Sequence, residues 1–420
     1  MLERRVCRTA IGIALVVLAS LLLATAAEAA TKEKVIYSFQ GGTDGSGPEP
    51  ELFRDAAGNL YGTTAEGGSQ QMGTVFELSP KAGGGWTEQV IYSFQGGTDG
   101  SSPSSGVIAD AAGNLYGETG EGGSQSVGAV YELSPSENGW TEKVLYSFVD
   151  QTTGVFPGGG LAFDAAGNLY GTTSQGGVPL GLGTVFQLTT DGKGNWSENV
   201  ILGFGRNHDG GLPFAGLMVD PDGNMFGTTL AGYGEGTVYE LIPQPNGRFK
   251  RKVLHRFKGG KDGANPSGRL IRDSAGNLYG TAQSGGAASN SNGCDFGCGT
   301  VFRLSKTAKG WKFSVLYSFT GGQDGRTPEG TLALDSSGNL YGTTESGGGS
   351  GCDFGYGCGT AFELTPSAKG PWTETVLHRF QSNTDGLKPQ GNLVPDTEGN
   401  WFGTTLTGGN SQGTVFQLTP

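Results

Sequence analysis

The sequence predicts an all-β fold, a seven-bladed β-propeller with four antiparallel strands in each blade. Three observations carry that reading. A phrase of the form Asp-x-x-Gly-Asn-Leu-Tyr-Gly-Thr recurs seven times, beginning at Asp55, Asp110, Asp164, Asp220, Asp273, Asp335 and Asp396. Its copies lie 53 to 62 residues apart, a period that belongs to arrays and propellers. The two ends of the chain are complementary: residues 33–39 match the last strand of the other repeats, and 413–418 form a third strand without its fourth. Pairing the ends closes a ring and removes two open sheet edges.

Repeat three shows the order of elements. Residues 160–164 read as a short apolar strand, 165–167 as a turn and 168–173 as a second strand. A loop at Gly176 and Gly177 leads to a third strand at 183–188, and a fourth follows at 199–204. Each run is short, rich in β-branched and aromatic residues, and bounded by Gly, Asp, Asn or Ser. The turn glycines Gly58, Gly113 and Gly167 suit a tight hairpin, with the preceding Asp bonding the turn backbone. The glycine inside the second strand, at Gly62, Gly117, Gly171, Gly227, Gly280, Gly342 and Gly403, leaves room for a neighbouring group. Trp86, Trp140, Trp196, Trp311 and Trp372 open the fourth strand and read as packing residues of the outer blade.

Composition narrows the class. Gly is 80 of 420 residues, yet no Gly-x-y period exists, so collagen is excluded. Charged residues are 16% of the chain and the net charge is -12, a balance that disfavours nucleic acid as a partner. The start of the chain differs from the rest. Arg4, Arg5 and Arg8 precede an apolar run at 11–23, and Ala27-Glu28-Ala29 fits the small-x-small cleavage rule. Residues 1–29 are therefore expected to be a secretory signal peptide, and 30–420 a single propeller domain. Export implies a secreted or periplasmic, disulfide-permissive setting. No later stretch is long and apolar enough to cross a membrane as a helix.

The units at 58–64 and 338–344, followed by Gly-Gly and by Gly-Thr-Val-Phe-Glu-Leu at 73–78, resemble the GloVer tandem repeat. That repeat occurs in exported bacterial proteins described as choice-of-anchor proteins. The resemblance covers essentially the whole mature chain; it implies a bacterial exported repeat protein and no particular activity. A looser similarity to NHL-type and gluconolactonase-type propellers rests on the Asp-x-x-Gly-Asn hairpin and transfers no catalytic residue.

Two features map to the face that holds the blade-connecting loops. The first is Asp-Gly-x-x-Pro, with Asp44, Asp99, Asp209, Asp262, Asp324 and Asp385; repeat three has Thr153 instead. These carboxylates read as turn residues, with calcium ligation as the competing reading. The second is a pair of long loops in repeats five and six, carrying Cys294-Asp295-Phe296-Gly297-Cys298 and Cys352-Asp353-Phe354-Gly355-Tyr356-Gly357-Cys358. Two local disulfides, Cys294 with Cys298 and Cys352 with Cys358, are favoured over cross-pairing or zinc. The loops would display Asp295, Phe296, Asp353, Phe354 and Tyr356 as a recognition patch. His255 and His378 replace a packing Tyr, which leaves His208, beside Asp209, as the one histidine placed for catalysis. The expected function is a secreted binding or scaffold propeller, without cofactor and monomeric, that recognises a glycan, cell-envelope polymer or protein. The alternative is a metal-dependent hydrolase, lactonase or lyase at the channel mouth, using His208 and Asp209.

Overall fold

The computed structural model describes residues 31–420 apart from 179, 206–209, 232–233, 288–293, 350, 353–354, 368–370 and 382–383. Residues 1–30, which hold the expected leader, lie outside the described residues. Seven antiparallel sheets form the blades of a propeller. In blade one, Leu60–Glu66 pairs with Thr74–Pro80, which pairs with the outer strand Trp86–Ser93. In blade seven the N-terminal strand Lys32–Ser38 pairs with the C-terminal strand Thr414–Thr419, in register from Lys32 opposite Thr419 to Ser38 opposite Thr414. The ring is thus closed by the two ends of the chain, as their complementarity implies.

The inner strand differs from the sequence reading. It is broken in two, and its first half comes from the Asp-Gly-x-x-Pro segment. In blade one Ser46–Pro48 and Phe53–Arg54 both pair with Leu60–Glu66. The residues between these halves turn toward the axis and line the centre of the ring. In blades four, six and seven the first half shrinks to a single bridge, such as Arg326 with Ser346.

The recurring phrase builds a clipped hairpin. In all seven copies the Asp carboxylate accepts the backbone N–H and the side-chain amide of the Asn four residues on, as in Asn59 to Asp55 at 2.8 and 2.9 Å. The Tyr two residues further donates to the same carboxylate in five copies, for instance Tyr170 to Asp164 at 3.0 Å. These bonds satisfy turn groups that a bare loop would leave to water. The glycine inside the second strand has a separate task. The far end of a third-strand aromatic ring sits against it, and a methyl group on Gly62 would meet the Phe76 ring.

That ring in turn receives a wedge from the preceding blade. Phe94, at the end of blade one, meets Tyr131 of blade two edge-on at 5.0 Å. The same contact recurs around the ring, including Phe39 against Phe76 at 5.1 Å across the closure. Both phenylalanines are fully buried, and each such burial is worth about 1.5–3 kcal/mol. The fourth-strand tryptophans pack back on the preceding blade: Trp86 meets Phe402 at 5.4 Å and Trp311 meets Phe226 at 5.9 Å.

A second seam lies on the loop face. The glycine that opens each third strand has a φ between 96° and 108°. Any side chain there would collide with the proline of the next blade and with a carbonyl of its own second strand. Gly128→Ala is therefore expected to destabilise the protein by at least about 2 kcal/mol, through left-handed strain and overpacking together. Gly167→Ala, also left-handed but with nothing within 4 Å, should cost only about 1 kcal/mol. Equilibrium denaturation of the two variants checks the contrast.

Candidate functional site on one face and the axis of the ring

The residue before each proline is left-handed. Gly47, Ser102, Phe156, Leu212, Asn265, Thr327 and Lys388 have φ values from 50° to 60°. In every case its backbone N–H donates across the seam to the preceding blade, as in Phe156 to the Val127 carbonyl at 2.9 Å and Gly47 to Gln412 at 2.9 Å. Seven backbone hydrogen bonds therefore stitch the ring together on this face and hold six side chains in a conformation that bulky residues avoid. The prolines, and the three residues after each, lead from this stitch to the axis.

The Asp-Gly aspartates are placed differently from the ligand reading. Each described one is bonded to its own loop and to the outer strand just before it, which belongs to the preceding blade. Asp44 accepts from the Tyr37 hydroxyl and the Gln40 N–H, both at 2.8 Å. Asp99 accepts from Tyr92 at 2.5 Å and from Gln95 N–H at 2.6 Å. Asp324 takes Tyr317 at 3.0 Å. Asp262 and Asp385 pair with His255 and His378, each at 3.1 Å. They are turn residues at the outer strands and do not ring the mouth. Among the described residues no three His, Cys, Asp or Glu side chains converge on a metal-sized space. His255 stacks on Phe313 at 3.7 Å, a packing role. His208 and Asp209 lie outside the described residues.

The cysteines form two local disulfides, Cys294–Cys298 and Cys352–Cys358. Each bridge ends on the residue whose carbonyl takes the next blade's stitch, Cys298 to Thr327 and Cys358 to Lys388, both at 2.9 Å. The bridges therefore tie the long loops to the seam itself. Phe296 stands 85% exposed and, with Asp295, lines a depression of about 580 Å³. The Tyr356 ring carries Arg326 over its face at 4.2 Å. Asp353 and Phe354 lie outside the described residues.

At the axis the blades meet in a cavity of about 80 Å³. A threonine of the second strand usually donates to the next blade there, as Thr63 does to the Ser105 carbonyl at 2.8 Å. Blade two has Glu118 in that place. Its carboxylate is fully buried and accepts the Gly160 N–H at 2.9 Å. Arg269 reaches across from blade five to Glu51 of blade one and to the Gly159 carbonyl of blade three, each at 3.4 Å. One guanidinium thus braces three blades.

The repeats match the model of the Gloeobacter/Verrucomicrobia repeat over residues 24–232 and 233–420. The chain belongs to that family. No curated protein matches the chain significantly. Among solved structures, it is similar to the extracellular domain of a proposed hybrid two-component system from B. thetaiotaomicron, with 12% identity, a TM-score of 0.55, and coverage of 92% of this chain and 39% of that one. It is also similar to PorZ, a surface component of the type-IX secretion system of Porphyromonas gingivalis, with 13% identity, a TM-score of 0.52 and coverage of 91% and 48%. A puromycin-hydrolysing peptidase of Mycobacterium tuberculosis gives 11% identity, a TM-score of 0.51 and coverage of 86% and 50%. At such identities the likeness concerns the fold. This chain spans half or less of each of these three proteins.

In this member of the repeat family the axial residues Glu118, Glu51 and Arg269 escaped the sequence reading. The signal was present: Glu118 replaces the first threonine of the Gly-Thr-Thr unit in one copy only. The same burial that marks Glu118 recurs at the blade seams. Burial pushes the carboxyls of Glu33, Glu88, Glu142, Glu198 and Glu374 up to about 7, and those of Glu49 and Glu329 likewise. Glu118 is pushed up to about 8 by its burial, against the pull of the Gly160 N–H and Arg269. Burial also acts to raise Asp110, Asp164 and Asp273, but the Asn and Tyr bonds of the hairpin clip outweigh it and hold them below their usual range.

The sign follows from proton linkage. Between about pH 4.5 and 7 the folded chain holds more protons than the unfolded chain at eight glutamates, so stability falls as pH rises. His255, lowered by burial, acts in the opposite direction as a single group. Below the usual Asp range the clip carboxylates are protonated and stability falls again. Thermal melts are expected to peak near pH 4 to 5 and to decline toward pH 8, with the decline reduced in Glu88→Gln. A melting temperature that rises from pH 5 to pH 8 contradicts this account.

Proposed function

We propose that this chain is an exported binding or scaffold propeller that recognises an extracellular glycan, cell-envelope polymer or protein through the face bearing the disulfide loops. One observation carries the reading. Among the described residues the exposed large hydrophobic side chains are Met72, Val149, Phe156, Val178, Leu180, Phe214, Phe296 and Tyr356. Six of them lie on a second-to-third-strand loop or a blade connection, and Phe156 and Phe214 lie in or just after the first half of an inner strand, next to the blade connection. A one-sided set of exposed apolar groups on a rigid scaffold is the mark of a contact surface.

Three further facts support the setting. Two disulfides suit an oxidising compartment. The first residues have the layout of a secretory leader. Two of the structural neighbours are described as an extracellular domain and a bacterial surface component. No helix among the described residues is long and apolar enough to cross a membrane.

Two outcomes are expected. N-terminal sequencing of the exported protein should begin at Ala30. Retention of the mature chain on isolated cell-envelope fractions or on a glycan array should fall at least tenfold in the double variant Phe296→Ser, Tyr356→Ser. Both side chains are exposed, so the melting temperature should stay within a few degrees. Unchanged retention removes the disulfide loops from recognition.

A further inference from the structure

The blade-one to blade-four side of the mouth has its own chemistry. A groove of about 400 Å³ opens there, and its walls include Glu49, Glu121, Phe156, Phe214 and Ser104. Among the described residues no Lys or Arg lines it. Phe214 is 50% exposed and Phe156 36%. Both are departures from the repeat: the positions equivalent to Phe214 hold Glu, Ser, Gly, Ser, Glu and Gln, and those equivalent to Phe156 hold no other aromatic. The two aromatics thus fall in adjacent blades and meet at one groove.

We propose that this groove is a receptor pocket for a basic side chain, lysine or arginine, carried by a polypeptide partner. The proposal rests on the reading that this face binds a ligand, and names a second place on it. Two aromatic rings beside two carboxylates, with no Lys or Arg among the described lining residues, attract an ammonium or guanidinium group both through the ring quadrupoles and by charge. A neutral ligand would leave the carboxylates unmatched.

The walls are held in place before any ligand arrives. The Phe156 N–H is bonded to Val127 at 2.9 Å, and its carbonyl accepts from the Ser174 hydroxyl at 3.2 Å. The Glu49 N–H is bonded to Thr63 at 2.9 Å, and its carbonyl takes the Thr404 hydroxyl at 3.2 Å. Burial, aided by Glu51, raises the Glu49 carboxyl to about 7, so an incoming cation would find a carboxyl whose charge it stabilises. Little ordering remains to be done on binding, which favours affinity from few contacts.

The neighbouring surface selects a polypeptide over an amino sugar. The blade-three loop carries Val178, 64% exposed, and Leu180, 53% exposed. That loop abuts the groove wall, since the Leu182 carbonyl accepts the N–H of Leu212, two residues before Phe214, at 2.7 Å. An aliphatic ridge beside an acidic aromatic pocket matches a segment with an apolar side chain next to a basic one. A glucosamine polymer has the cation but no aliphatic group for the ridge.

Fluorescence anisotropy with the mature chain tests this. The probes are a fluorescein-labelled Gly-Leu-Lys-Leu-Gly peptide, its Lys-to-Gln counterpart, and a glucosamine hexamer as competitor. The lysine peptide is expected to bind at least tenfold tighter than the glutamine peptide, with the difference shrinking as salt rises. Phe214→Ser, and separately the pair Glu49→Gln with Glu121→Gln, should each remove that difference. Phe296→Ser should leave it intact, and melting curves confirm that the variants fold. Equal binding of the two peptides, no binding of the lysine peptide at millimolar concentration, or displacement by the glucosamine hexamer with tighter affinity each overturns the proposal. Envelope retention persisting alongside such a result would overturn this pocket alone and leave the broader binding reading standing.

Discussion

Everything on the face that carries the blade-connecting loops depends on one seam, in which the glycine opening each third strand admits the proline of the next blade. The contact is steric. With a φ near 100° the glycine takes a conformation open to few other residues, and the space a side chain would occupy is filled by the proline ring. The proline in turn fixes the backbone around it, and the left-handed residue before it donates its N–H back across the same seam. Steric fit and hydrogen bond reinforce each other, and the pair is repeated seven times. Gly413 against Pro48 does this across the chain ends as well, so the closure is made by the same device as every other joint.

The seam explains why the face can vary while the ring does not. A backbone held by its own N–H does not need the attached side chain to hold the joint. The left-handed positions carry Gly, Ser, Phe, Leu, Asn, Thr and Lys, as mixed a set as any position in the repeat. The positions after the proline vary as widely. By contrast the hairpin clip, the second-strand glycine and the wedge phenylalanine change little between blades, because each is one half of a contact with a fixed shape on the other side.

Much of the architecture was legible in the sequence for the same reason. Strand number, closure, the hairpin role of the recurring phrase and the two local disulfides all follow from residue types that have few alternatives: Gly with an aromatic over it, Asp clipping Asn, Cys spaced within one loop. The inner strand was misjudged because its first half, Ser46–Pro48 in blade one, contains a proline and a left-handed residue, both of which read as loop. The aspartates of that segment were legible as turn formers; their Tyr and His partners lie seven residues earlier, on the outer strand of the preceding blade. The axial group was not legible. Glu51, Glu118 and Arg269 come from blades one, two and five, and no spacing rule brings them together. Only the curvature of the closed ring does.

The distribution of strain gives the departures their meaning. A left-handed conformation costs a residue with a Cβ about 1–2 kcal/mol, and glycine almost nothing. The seam needs only the backbone, so glycine would serve every blade, as Gly47 serves blade one. Six blades instead retain a side chain there, and blade three retains a phenylalanine, among the least suited to it. Packing does not account for it, since Phe156 is partly open to solvent. A strained, exposed aromatic next to a second exposed aromatic, Phe214, is stability given up at a point where the fold gains nothing. In a repeat protein with other exceptions absorbed into the axis or the disulfide loops, this is the departure that the proposed pocket for a basic side chain accounts for.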